Sequence, residues 1–161
     1  MRNVTGFVMA VVLLALTVAS ATAATTASHT VTVQVDAINE LALTGGNITL
    51  TINSATAGSE PTAATDTTCH LNWTINQSSK KITVTDSVVS KKFTLTVQAT
   101  SITNGTSAGV VTLNNQTGAN FITAISVGTG TCTLSYSASA LASEGTGTDV
   151  HTVTYTIADA S

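Results

Sequence analysis

The sequence predicts an all-β chain folded as an antiparallel two-sheet sandwich, and three observations carry that expectation. Val, Ile and Thr are abundant, and β-branched side chains suit a pleated strand while losing rotamer freedom in a helix. Apolar and polar residues alternate in segment after segment, which is the period of a half-buried strand. Turn-forming clusters such as Thr103-Asn104-Gly105 and Gly128-Thr129-Gly130 punctuate these segments at roughly ten-residue intervals, as in sandwiches. Threonine on the outward parity fits antiparallel sheets with one wetted face, whereas buried parallel strands are apolar almost throughout.

The first segment, "MRNVTGFVMAVVLLALTVASATA", stands apart from this pattern. Arg2 is its only charge, an apolar run extends from Phe7 to Val18, and Ala21-Thr22-Ala23 supplies small residues at a cleavage position. The run is shorter than the roughly twenty residues that a membrane span needs. Residues 1–23 are therefore expected to be a signal peptide, a hydrophobic helix removed after Ala23, which leaves 24–161 as a single secreted sandwich domain with no remaining membrane segment. A competing reading takes Gly6-Phe7 as a prepilin-type cleavage point, but Val11 occupies the place where such segments carry a glutamate.

Along the mature chain, "HTVTVQV" (His29–Val35) sets Val31, Val33 and Val35 on one face and Thr30, Thr32 and Gln34 on the other. "NELALT" follows, then "NITLTIN" with Ile48, Leu50 and Ile52 inward. A loop through Pro61 leads to "CHLNWTI", which alternates Cys69, Leu71, Trp73 and Ile75 against His70, Asn72 and Thr74. "KITVTD", "FTLTVQA", "GVVTLNN", "FITAISV", "CTLSYSA" and "HTVTYTI" complete the predicted strands. The lysine pairs Lys80-Lys81 and Lys91-Lys92 precede two of them, where charge is expected to guard a sheet edge against unwanted pairing.

Composition removes several function classes. Charged residues are 8% and the formal net charge is -3, so the basic surface that nucleic acid requires is missing. The single proline rules out a Pro-rich stalk and the β-branched content rules out disorder. An enzyme is not expected: the eight carboxylates are scattered through loops without a close acid–base pair, and no H-E-x-x-H pair occurs. No cofactor or metal is expected either. His29, His70 and His151 could join Glu60, Asp66 or Asp149, yet no ligand spacing of the tight kind appears. Trp73, Tyr136 and Tyr155 lie on apolar parity and are read as core packing in preference to a sugar-binding face.

Two features follow from secretion. Cys69 and Cys132 are the only cysteines, and an even count in an oxidising compartment reads as one disulfide, here an inter-sheet staple beside Trp73 and Tyr136. Closing that loop constrains the unfolded chain by roughly 4 kcal/mol in the entropic account. Asn47, Asn72, Asn76, Asn104 and Asn115 begin N-x-S/T sequons and are candidate glycosylation sites, with Asn72 and Asn76 on the polar parity and Asn104 and Asn115 in turns.

With "HTVTVQVDAINELALT" leading and "DVHTVTYTIAD" closing, the mature chain resembles secreted, Thr-rich immunoglobulin-like sandwich proteins of prokaryotic cell surfaces, including subunits of donor-strand-linked extracellular filaments. That resemblance implies an immunoglobulin-like sandwich with an extracellular structural or adhesion role. Its donor strand would be His29–Val35, with Val31, Val33 and Val35 filling a neighbour's groove. The expected partners are other copies of the chain or cell-surface glycans. The alternative is a monomeric secreted module that binds carbohydrate or a surface.

Overall fold

In a computed structural model, residues 25–87, 91–114 and 117–160 are described; the predicted signal peptide and Asn115 lie outside them. The chain divides into two units, one ending at Gln34 and one comprising Val35–Ser161. All of the regular structure described belongs to the second: β1 (Asn39–Thr44), β2 (Ala64–Ile75), β3 (Lys80–Asp86), β4 (Thr94–Thr100), β5 (Thr106–Ser107), β6 (Val110–Thr112), β7 (Ala119–Ile125), β8 (Gly128–Ser139), a 3-10 turn at Ala142–Glu144, and β9 (Val153–Asp159). Among the described residues no helix is long and apolar enough to cross a membrane.

The strands form two sheets, ordered β1-β2-β8-β4-β6 and β5-β7-β3-β9, and every pairing between neighbours is antiparallel. The all-β, two-sheet expectation is met. Inward residues of both sheets form one core: Leu71, Trp73, Val97, Leu134 and Tyr136 from the first, Ile82, Val84, Phe121, Ile122 and Ile125 from the second. Fully burying an aliphatic or aromatic side chain of this size contributes about 1.5–3 kcal/mol, so these side chains hold the sheets face to face. Phe121 and Tyr155 meet at a ring-centroid distance of 5.1 Å.

Bulges explain where strict alternation breaks. Ile82 stands opposite Ile122 while the next residue, Thr83, stands opposite Asn120, so Phe121 is an extra residue in β7. Phe121 and Ile122 consequently both point inward, each 0% exposed, although they are consecutive. The same ladder shifts register again between Lys80 and Ile82, and a further bulge lies between Asp66 and Cys69 in β2, where the Asp66 carboxylate accepts hydrogen bonds from the Thr68 N–H and hydroxyl.

Two predicted strands are not formed, which corrects the sequence reading. His29–Val35 enters no ladder; the first strand described begins at Asn39. "NITLTIN" (47–53) likewise carries no strand. After β1, Gly45 and Gly46 adopt φ of +104° and +74°, a conformation glycine reaches without steric cost. A Cβ on Gly45 would fall 2.7 Å from the Thr68 carbonyl oxygen, so this tight departure from β2 requires the missing side chain. The chain leaves the sheet there, and Ile48, Leu50 and Ile52 end half-buried without ladder partners.

The lysines also differ from expectation. Lys80 begins β3, an interior strand, and donates to Asp159 Oδ1 at 2.6 Å. Lys91 and Lys92 precede β4, also interior, and their ammonium groups donate to the Leu113 and Thr146 carbonyls. These three charges fasten loops and strand ends and guard no edge.

Candidate functional site

The N-terminal residues that the sequence marks as a donor strand are exposed apolar side chains. Val31 is 71%, Val33 83% and Val35 73% accessible. Isolated exposed valines are ordinary on a protein surface; here three alternate along a segment that is exposed throughout and enters no ladder.

The Val35–Ser161 unit carries a groove of about 1200 Å³. One wall is the unladdered segment 46–54, and the other is the run 145–153 that leads into β9. Leu95, Tyr136, Ala138 and Ala140 also line it. On β8, Cys132 and Leu134 are 1% and 0% exposed, whereas Ala138, further along the same inward parity, and Ala140, just beyond the strand's end, are only half-buried. The first sheet therefore has its inner face covered at one end of β8 and uncovered at the other. Among the described residues, 47–53 and 146–151 make no backbone–backbone hydrogen bond. Both walls thus present backbone donors and acceptors of the kind that a strand satisfies.

Asp149 fixes the second wall. Its Oδ2 accepts from the Lys92 and Phe93 backbone N–H groups at 2.7 and 2.8 Å. His151 Nδ1 lies 2.9 Å from Asp86 Oδ2, a carboxylate with 0% side-chain exposure. Asp149 and His151 thus turn to different partners, and His70 lies against the Thr133 hydroxyl. Among the described residues no cluster of three metal-ligating side chains is present.

Cys69 and Cys132 are buried free thiols. They sit on adjacent strands of one sheet, Cys69 opposite Leu134 and Cys132 opposite Leu71. The predicted inter-sheet staple is therefore not what the fold builds. A diagonal pair across antiparallel strands has its backbones about 7–8 Å apart, at or beyond the span of an unstrained disulfide. Burial pushes the Cys132 thiol up to about 11, only partly offset by a backbone hydrogen bond from Leu71.

The sequons divide by how their amides are used. Asn47 is exposed and Asn72 half-buried. Asn76 clips the start of β1, its Nδ2 donating to the Asp36 carbonyl and its Oδ1 accepting from the Ile38 N–H, each at 2.7 Å. Asn104 Nδ2 donates to both the Ser126 and Thr129 carbonyls, and its Oδ1 accepts from the Ser126 N–H. An N-linked sugar replaces an amide hydrogen, so at Asn104 it would cost one of the two hydrogen bonds that Nδ2 donates.

Of the aromatic residues read as core in the sequence, Trp73 and Tyr136 are buried and Tyr155 is half-buried against them. Trp73 is 2% and Tyr136 6% exposed, and the Tyr136 and Tyr155 hydroxyls share a 2.8 Å hydrogen bond that joins the two sheets. The Trp73 ring lies on Gly130, where a Cβ would come within 2.2 Å of it. Its buried Nε1 has no hydrogen-bond partner among the described residues.

The chain also carries two short matches to catalytic motifs. Gly105-Thr106-Ser107-Ala108-Gly109 spells G-x-S-x-G and Ser78-Ser79-Lys80-Lys81 spells S-x-x-K. The first motif works at a strained strand-to-helix elbow; here Ser107 ends the two-residue strand β5, and β6 follows. The Ser107 hydroxyl oxygen accepts the Gly109 N–H at 3.2 Å, as a turn serine does. The second begins in the turn before β3, and its lysine, Lys81, stands within that interior strand opposite Ala158 of β9.

Comparison with protein-family models, curated proteins and solved structures found no match to this chain.

Proposed function

We propose that the protein is a secreted extracellular structural or adhesion subunit with an immunoglobulin-like sandwich, exported by residues 1–23 and assembled into filaments when His29–Val35 of one copy pairs with a neighbour. It works by association, without catalysis or a cofactor. The observation that carries this reading is the register of exposed Val31, Val33 and Val35 on a segment that enters no ladder. Burying three valines against a partner contributes about 1.5–3 kcal/mol each, and main-chain hydrogen bonds add geometric specificity. Head-to-tail contacts of this kind do not close on themselves and so yield filaments.

Sedimentation of the purified mature protein tests this. Wild-type chains are expected to form large assemblies, and Val33→Asp to sediment as a monomer with an unchanged circular-dichroism spectrum. A Val33→Asp protein that still assembles would refute the reading. The alternative of a monomeric sugar-binding module has less support, because Trp73 and Tyr136, two of the three aromatic residues considered for a sugar platform, are buried.

A further inference from the structure

We infer that the groove between 46–54 and 145–153 is the acceptor site for His29–Val35 of a second copy of this chain, and that its occupation converts the 47–53 wall into a strand. The inference rests on the assembly reading above and adds where the neighbour docks.

Three observations choose this occupant. The first is a mismatch between pattern and structure in one place. Asn47–Asn53 alternates Ile48, Leu50 and Ile52 with Thr49 and Thr51 as strictly as any strand in the molecule, yet makes no ladder. Local pattern supplies a strand-competent backbone, but a ladder needs a second backbone at about 4.8 Å. Among the described residues the facing wall, 145–153, likewise makes no backbone–backbone hydrogen bond through 146–151, its Thr146 carbonyl being taken by the Lys92 ammonium. A single extended segment laid between them pairs with both.

The second observation is fit. His29–Val35 and Asn47–Asn53 are equal in length, about 23 Å when extended. The groove floor includes Ala138 and Ala140 beside Leu95. Small side chains there leave depth for the branched side chains of Val31, Val33 and Val35, and the outward parity of the donor carries Thr30, Thr32 and Gln34 to solvent, matching the Thr-rich outer faces elsewhere.

The third is charge. Neither 29–35 nor 46–54 contains Asp, Glu, Lys or Arg. In 145–153 the only such residue is Asp149, whose carboxylate is already engaged by two backbone N–H groups. Burying an unpaired charge is costly; docking this segment here buries none.

The edges of the sheets offer poorer sites. β5 and β6 are edge strands of two and three residues, too short for a seven-residue partner. β1 and β9 are longer edges, and β1 carries Leu43 half-exposed beside the core-packed Leu41, but each offers a partner a single edge, whereas the groove presents two walls.

Hydrogen exchange on full-length mature protein locates the interface. Assembled wild-type chains are compared with Val33→Asp chains, peptide by peptide. The expected result is that amides in 46–54 and 146–151 exchange at least about 100-fold more slowly in the assembly, as newly ladder-bonded amides do, with β1, β6 and β9 edge amides unchanged. Protection of the β1, β6 or β9 edge instead, with 46–54 exchanging as in Val33→Asp, overturns the acceptor assignment while leaving donor-strand assembly standing. Val33→Asp chains that still assemble overturn both. If wild-type chains are monomers and yet show 46–54 protection that Val33→Asp removes, the occupant is the chain's own N-terminal segment and the second-copy assignment is wrong. Ile52→Asp provides an independent check: it is expected to stop assembly with native near-ultraviolet circular dichroism, and a folded Ile52→Asp protein that assembles normally also overturns the inference.

Discussion

His29–Val35, "HTVTVQV", and His151–Ile157, "HTVTYTI", share their first four residues and their parity, yet meet opposite fates. Val153, Tyr155 and Ile157 of the second lie in β9, paired along its whole length with β3, Tyr155 in register with Val84. Val31, Val33 and Val35 of the first are exposed and lie in no ladder. Local sequence specifies that a segment is able to be a strand; an available neighbouring backbone specifies that it is one. β9 has that backbone because β3 precedes it and lies between β7 and β9.

The comparison predicts that equivalent changes in the two regions act on different quantities. The largest effect on stability comes from the core that receives β9. Phe121→Ala removes a side chain with 0% exposure that packs on Tyr155, and urea unfolding is expected to show a loss of about 3–5 kcal/mol. Val33→Asp, by contrast, is expected to leave the unfolding midpoint of the monomer within about 0.5 kcal/mol of wild type while abolishing assembly. A large loss of monomer stability in Val33→Asp would mean that the N-terminal segment is part of its own fold.

An intermediate effect is expected at the inter-sheet hydroxyl pair. Tyr155→Phe removes the 2.8 Å hydrogen bond to Tyr136 and is expected to cost about 1 kcal/mol. The same pair sets an alkaline limit. Burial holds both phenols above their ordinary value; for Tyr136 the hydrogen bond from Tyr155 opposes this, and for Tyr155 the neighbouring Tyr136 adds to it. Folding then favours the protonated phenols, so this stabilisation is complete below the unfolded value near 10 and is lost as pH rises through the folded values. The chain has only two tyrosines, so tyrosinate absorbance reports this pair alone. It is expected to appear together with loss of the circular-dichroism signal; tyrosinate formed in a still-folded protein would contradict the burial.

The smallest effect is at the far end of β9. Asp159 is held below the usual carboxylate range by the hydrogen bond from Lys80 and then by its charge. The contribution is therefore present above the unfolded carboxylate value and fades as pH falls through the folded one. Asp159 is exposed, and solvent screens the pair, so Asp159→Asn is expected to leave the melting temperature at neutral pH unchanged within measurement. A clear shift would show that this end of β9 is held by its ion pair more than by its ladder.

Much of the fold was legible because period-two patterning is a local property. "NELALT" is β1 to the residue, and the inward parity of Cys69, Leu71, Trp73 and Ile75 holds throughout. The failures are all non-local. The bulge that turns both Phe121 and Ile122 inward depends on what β3 presents opposite them. The placement of Cys69 and Cys132 within one sheet depends on β2 pairing with β8, which parity does not encode. The structural use of Asn76 and Asn104 depends on backbone groups many residues away.

By itself, then, the sequence determined the class and the faces: an all-β chain, poor in charge, whose β-branched alternation decides which side chains are apolar-facing wherever a strand forms. Only the tertiary structure decided which strand-competent segments are paired, because a ladder is a contract between two backbones distant in the chain. That is why "NITLTIN" and "HTVTVQV", as regular as any strand in the molecule, stand outside its two sheets while "HTVTYTI" closes one of them.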